Sequence, residues 1–387
     1  MKVNNLVKLI KQDYLLLALC ILSLFSILRT LIIPLQGDEI TYFKISEHIL
    51  SGKYYLYDFP SSVSPILPFI FAIFSTPFNY IIGISLLKCF NILLAFFGLN
   101  YMCLFLKKQN VPISIIASIF ILTLTNTNSI NWFSSLFPES ILFFGFWGFV
   151  YYFNKELSVS HFKKMLLFFV LLTMTRYVFA VLGIAVLFYI YRCYKAETFK
   201  NNQIKKLVFF SILCAIPVLF WFKYVYYIEM SNVSEISYFK RYKEGNNGLW
   251  TNIKAGLGFM IHPEVRNLSG LPAFVTLFIP ITGFRHYLIS AILFGLFLFG
   301  YIKTNKSNGI QFLFYATLLV MLGLVFAGTG FSRYWLVFLP CYYLGFYYAF
   351  KTFKLKDSWF FLLSKIVAII YVINEIRLDF LIFDRHL

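Results

Sequence analysis

Leu28-Arg29-Thr30-Leu31-Ile32-Ile33-Pro34-Leu35-Gln36-Gly37-Asp38-Glu39-Ile40-Thr41-Tyr42 is the stretch on which the reading of this chain turns. It closes an apolar run that begins at Tyr14, and it sets two adjacent carboxylates at the run's end. The whole sequence holds only 16 acidic residues among 387. A helix of about 20 residues crosses a hydrocarbon core of about 30 Å. The run is too long for a signal-peptide core and lacks a small-residue cleavage site. With Lys2, Lys8 and Lys11 ahead of it, it reads as a retained first span entering from the cytoplasm. A carboxylate at a water–lipid boundary sits in a lowered dielectric, where its basicity can be tuned. The same pair also reads as an ordinary helix opening, with Asp38 capping and Glu39 complementing the helix dipole. Both readings stay open on sequence alone.

Composition sets the class. Apolar residues make up 60% and charged residues 13%, about half the charge of an average soluble domain. Repeated apolar runs define an all-α polytopic membrane protein. The net charge of +18 lies in short loops between those runs, the positive-inside pattern, which excludes nucleic acid as the partner of that charge. Six scattered cysteines show neither a zinc spacing nor a disulfide framework.

After Asp38 a surface helix is expected over about 39–50, with Tyr42, Ile45 and Ile49 on one face, and Gly52 ending it. A stiff turn, Pro60 to Pro68, leads to a short interfacial piece at about 68–77. Spans are expected at about 14–35, 79–106, 112–128, 139–154, 206–224, 286–303, 310–327, 333–350 and 358–376. The run 165–192 carries basic flanks on both sides and Arg176 near its middle. The charge rule favours a hairpin of two short helices there, turning at Thr175-Arg176-Tyr177, which brings the count to about eleven spans. The irregular backbone of such a turn has to be buried in protein or wet. The expected organisation is one transmembrane domain over 1–387, with outer loops at about 36–78, 129–138 and 225–285. The last loop is the one long enough to act as a lid.

Ionisable residues at membrane depth are costly and read as functional by default. On the outer side or within the membrane these are Arg29, Asp38, Glu39, Glu139, Arg176 and Arg333. Each has a plainer role open to it: Arg29 can snorkel, Glu139 can open its helix after Pro138, and Arg333 can sit among headgroups. Together, carboxylates and arginines at one membrane face suit a lipid phosphate beside a hydroxyl that is to lose its proton.

The segment Leu28 to Lys53 resembles the opening of GT-C glycosyltransferases, more narrowly the protein-mannosyltransferase and aminoarabinose-transferase branch. Pro65-Ile66-Leu67-Pro68 resembles that family's Pro-Pro-Leu segment, with Ser64 in place of the first proline. Pro138-Glu139-Ser140, Thr175-Arg176-Tyr177 and Arg333-Tyr334-Trp335-Leu336 are similar to its second outer loop, its mid-chain hairpin and its late Arg-Tyr span. The matches run in the family's order over about 20–350. The resemblance implies a GT-C-like fold with interfacial helices in the first outer loop, and a polyprenyl-phosphate-linked sugar donor. It implies Asp38 as general base, with Glu39 beside it, and inversion at the sugar carbon. It also implies that Arg29, Tyr42, Glu139, Arg176, Arg333 and Tyr334 bind substrate. Two departures turn the expectation away from a protein acceptor. The chain ends after its last span without a soluble outer domain, and the second outer loop lacks the Arg-rich pattern of protein mannosyltransferases. A lipid-linked or small glycan, or a glycolipid, is expected instead, on the outer face of the cell's inner or plasma membrane.

The chain holds no Gly-rich nucleotide loop and no Asp-x-Asp, so a nucleotide sugar is not the expected donor. The alternative class is a flippase or polymerase of lipid-linked oligosaccharides. A transporter predicts internal repeats with matched broken helices, and a polymerase predicts its charges in the large loop. A divalent metal would have His262 and Glu264 as its weak candidate ligands.

Overall fold

The computed structural model describes residues 4–49, 63–75, 78, 80–196, 199–231, 248–261, 270–281, 283–304, 306–328 and 332–386. Among these residues every regular element is helical. The first third comprises α1 (Asn4–Gln12), α2 (Tyr14–Leu28), α3 (Asp38–Ile49), α4 (Ile66–Ser75), α5 (Tyr80–Lys108) and α6 (Ile113–Thr125). There follow α7 (Thr127–Ser134), α8 (Glu139–Phe153), α9 (Val159–Thr175), α10 (Gly183–Lys195), α11 (Asn201–Ser231) and α12 (Gly248–Gly256). The chain closes with α13 (Tyr287–Lys303), α14 (Asn308–Phe326), the short α15 (Ser332–Trp335), α16 (Leu339–Thr352) and α17 (Asp357–His386).

Among the described residues, five helical segments are long and apolar enough to cross a membrane: Tyr14–Ile32, Tyr80–Lys108, Tyr177–Lys195, Asn201–Tyr227 and Asn308–Phe326. A sixth arises if α6 and α7, bent by 62°, count as one. The bend has a local cause. Asn126 leaves the helix in an extended conformation, and its side chain accepts from Asn128 N at 3.0 Å and Ser129 N at 3.3 Å. The stretch 129–138, expected as a plain loop, therefore begins as a capped helix. The Asn126 and Asn128 amides also donate to Leu277 O (2.7 Å) and Thr276 O (2.8 Å), which pins the 3₁₀ segment Leu271–Leu277 beside them.

Helix α8 is the central pillar. It is apolar on every side, as a fully buried helix is, and Trp147, Phe143, Phe146 and Phe149 are sealed within it. Its glycines admit neighbours: a Cβ on Gly148 would stand 2.5 Å from the Phe168 ring of α9. The run 159–195 is a hairpin, as its two flanks require. At its turn Arg176 meets Glu139, at the start of α8. At its far end Arg192 lies over Phe153, at the close of α8. Two carbonyls of the turn find donors. Thr175 O accepts from the Ser64 hydroxyl at 2.7 Å, and Arg176 O accepts from Phe179 N at 3.0 Å.

The first and last long helices are joined by a buried charge cluster. Arg29 Nη1 donates to Asp379 Oδ1 at 2.6 Å, and Nη2 lies 2.7 Å from Glu375 Oε2 without hydrogen-bond alignment. Ser26 Oγ adds a bond of 2.7 Å to Asp379 Oδ2. Arg29 is thus engaged by α17, and Asp379 is buried with it. Replacing Arg29 with Met leaves two buried carboxylates facing each other without a cation. Loss of one partner of a buried pair costs about 3–5 kcal/mol. Thermal unfolding of the purified Arg29→Met variant should show a loss of that order, and the further changes Glu375→Gln and Asp379→Asn should recover much of it.

Candidate functional site

The site is built where α3, α8, the α9–α10 turn and α15 meet. Gly37 makes the entry to α3, holding a φ of +54° that a side chain at that position would strain. Asp38 and Glu39 then divide the two roles left open by the sequence. Glu39, nearly buried, does the capping: its Oε2 accepts from Gln36 N at 2.8 Å and its Oε1 from Leu136 N at 2.6 Å. It closes the first turn of α3 and staples that turn to the segment ahead of α8. Asp38 points elsewhere. Its side chain is 56% exposed, and its Oδ2 lies 3.2 Å from Arg333 Nη2.

Arg333, on α15, is held among aromatic faces. Its guanidinium carbon lies 5.6 Å from the Trp132 ring centre, 5.1 Å from Phe137 and 5.0 Å from Tyr334. Tyr334 carries a second arginine on its ring, the guanidinium of Arg176 at 3.8 Å. Arg176 Nη2 in turn donates to Glu139 Oε1 at 2.9 Å. Glu139 is fully buried at the N-terminus of α8, where the helix dipole favours a carboxylate. One atom on each side of this pair, Glu139 Oε2 and Arg176 Nη1, is buried without a hydrogen-bond partner among the described residues. Buried polar atoms left unpaired are rare in native folds and mark strain or function.

Tyr42 stands between the two pairs, edge-on to Phe137 with ring centres 6.2 Å apart. Burial pushes its hydroxyl above the ordinary tyrosine range. Arg333 pulls it back, and Glu139, Tyr334 and Asp38 push it up further. The hydroxyl stays protonated near neutral pH and can donate to a substrate oxygen.

Of the residues expected at the site, the structure brings together Asp38, Tyr42, Glu139, Arg176, Arg333 and Tyr334. Glu39 supports them from behind. Arg29 belongs to the α17 cluster. His262 and Glu264 lie outside the described residues, and among the described ones no group of three or more His, Cys, Asp or Glu is placed to hold a metal.

Three contributors escaped the sequence reading. Lys88 is buried in the first third of α5, and its ammonium donates to Thr30 O at 2.7 Å and to Ile33 O, which holds the backbone that leads into Asp38. A lysine inside an apolar run was the available signal, the same one that marked Arg176. Trp132 and Phe137, perpendicular at 5.1 Å, form the aromatic wall against Arg333. Nothing in their spacing separates them from the many aromatics facing lipid.

Comparisons of the chain with protein-family models, with curated proteins and with solved structures give no match.

Glu39 accounts for the docking of α3 on the segment before α8. Glu39→Ala removes the acceptor of two backbone N–H groups, and hydrogen bonds to a charged group are worth about 1.5–3 kcal/mol each. Amide hydrogen exchange at Gln36 and Leu136 should quicken in this variant, while amides in the middle of α8 keep their protection. Unchanged exchange at both amides would remove the staple.

Proposed function

We propose that this chain is a GT-C-type membrane glycosyltransferase that moves a sugar from a polyprenyl-phosphate carrier to a lipid-linked glycan or glycolipid. In this reading the eleven apolar segments all cross the membrane as one domain. The Asp38 end then faces outward from the cell's inner or plasma membrane.

One observation carries the reading. Two carboxylate–arginine pairs, Asp38–Arg333 and Glu139–Arg176, converge through Tyr334 from four separated stretches of chain. One carboxylate is partly open to solvent, while the other pair is sunk at membrane depth. Such a set suits a reaction between a water-side hydroxyl and a membrane-borne phosphate.

In the proposed reaction the acceptor O–H gives its proton to Asp38, and the acceptor oxygen bonds to the sugar's anomeric carbon from the face opposite the phosphate. The carbon–oxygen bond to phosphate breaks, its electron pair leaves with the polyprenyl phosphate, and the configuration inverts. Arg333, beside Asp38, and Arg176, with its unpaired Nη1, are the cations that would hold the departing phosphate. Tyr42 would steady a sugar or phosphate oxygen.

The test uses purified protein in liposomes containing a synthetic polyprenyl-phosphate sugar and a lipid-linked glycan acceptor. Transfer is expected from this donor and not from nucleotide sugars. Robust transfer from a nucleotide sugar alone would sink the proposal. Asp38→Asn should lower the rate by about 10²–10⁴ with unchanged melting, because the amide keeps the size and loses the basicity. Arg176→Lys and Arg333→Lys should weaken capture of a donor analogue, since an ammonium cannot reproduce the planar fork. Full activity in all three variants would reduce these residues to a structural role.

A further inference from the structure

The far end of the pillar carries a second feature. Between α10, α14 and the end of α8 lies a cavity of about 810 Å³, within the size range of ligand pockets. Its mouth carries Lys108, Gln109, Arg192 and Gln311, and no carboxylate is among its described lining residues. Its depth is apolar, with Leu182, Ile184 and Phe188 on one wall and Phe312, Tyr315 and Leu319 on the other. Ile184, Phe188 and Tyr315 are 63%, 50% and 64% exposed, so the cavity opens sideways as a slot along the bundle's flank.

Charge and length together name an occupant. Arg192 stacks over Phe153 at 5.6 Å and has no hydrogen-bond or carboxylate partner among the described residues. Lys108 gives one N–H to Asn154 O at 2.6 Å and keeps two. Lys155 and Glu156 both act on Lys108 and oppose each other, which leaves the mouth positive. From Asn308 to Leu319 the slot follows α14 for about 16 Å, roughly one leaflet of a hydrocarbon core of about 30 Å. The Lys-rich turns at this end put it at the cytoplasmic leaflet, where basic pockets between helices bind anionic headgroups.

We propose that this slot binds an anionic diacyl phospholipid, one acyl chain lying between α10 and α14 and the phosphate held by Lys108 and Arg192. A zwitterionic lipid would leave the two cations uncompensated. A polyprenyl chain far exceeds one leaflet in length and would run past the end of the slot. The binding is independent of the chemistry at the Asp38 end.

Native mass spectrometry of the purified full-length chain decides the matter, with dioleoyl-phosphatidylglycerol, dioleoyl-phosphatidylcholine or a polyprenyl phosphate added after delipidation. One phosphatidylglycerol should be retained while phosphatidylcholine is stripped. In the Lys108→Gln/Arg192→Gln double variant the phosphatidylglycerol affinity should fall about thirtyfold. If that variant does not fold, wild-type retention in rising salt takes its place and should decline. Equal retention of both phospholipids, retention indifferent to the double variant or to salt, or displacement of phosphatidylglycerol by equimolar polyprenyl phosphate would each overturn the proposal.

Discussion

A charge buried inside a helical bundle has to be met by an opposite charge, and in this chain the Glu139–Arg176 pair is where that demand shapes the fold. Glu139 begins the central pillar and Arg176 forms the turn of the hairpin packed against it. Because the pair must close, α9 and α10 have to run out and back along α8 rather than continue across. The turn frees a backbone carbonyl, and Ser64 supplies a hydroxyl to it. Serine at that position thus has a physical use: it donates a bond that an apolar side chain could not supply.

Two charge sets flank the segment that leaves the first long helix, and they differ in how far they open to solvent. Around Arg29, two carboxylates meet one guanidinium deep in the bundle, and the Ser26 hydroxyl donates to one of them. That arrangement ties α17 to the end of the first long helix and is sealed from solvent, although Arg29 Nε and both Glu375 carboxylate oxygens have no hydrogen-bond partner among the described residues. Around Arg333 and Arg176, aromatic rings supply much of the surroundings, and a carboxylate stays half open to solvent. The second set therefore has the character of a site and the first that of a clamp.

The bundle is also polarised along α8. Glu139 and Phe153 are fourteen steps apart, about 21 Å of helix. Carboxylates, paired arginines and tyrosines gather at one end, while lysines, amides and Arg192 gather at the other. Buried aromatic packing in between separates the two electrostatic environments. Glycines at close helix contacts make that packing possible. A Cβ on Gly300 of α13 would meet Gly345 O of α16 at 2.0 Å, so no larger residue fits the crossing.

The sequence by itself determined the helical membrane class, the surface helix after Gly37, the reversal at Arg176 and most of the residues that gather at the site. Those features rest on local signals: apolar run length, flanking charge, and an ionisable residue where lipid would reject it. Tertiary structure alone decided the pairings. The partners of Arg29 lie about 350 positions away on α17, and no spacing rule reaches that far. Asp38 and Glu39 are neighbours of the same charge. Only the approach of Leu136 N made Glu39 the cap, and only the approach of Arg333 left Asp38 facing the open site. Lys88 carried a legible signal, a cation inside an apolar run, yet its partners are backbone carbonyls, which a sequence does not distinguish. Trp132 and Phe137 carried none, because an aromatic wall around an arginine and an aromatic face toward lipid have the same composition. Run length and charge are properties of one segment, whereas a partner is a property of two, and the packing of the bundle chooses which two meet.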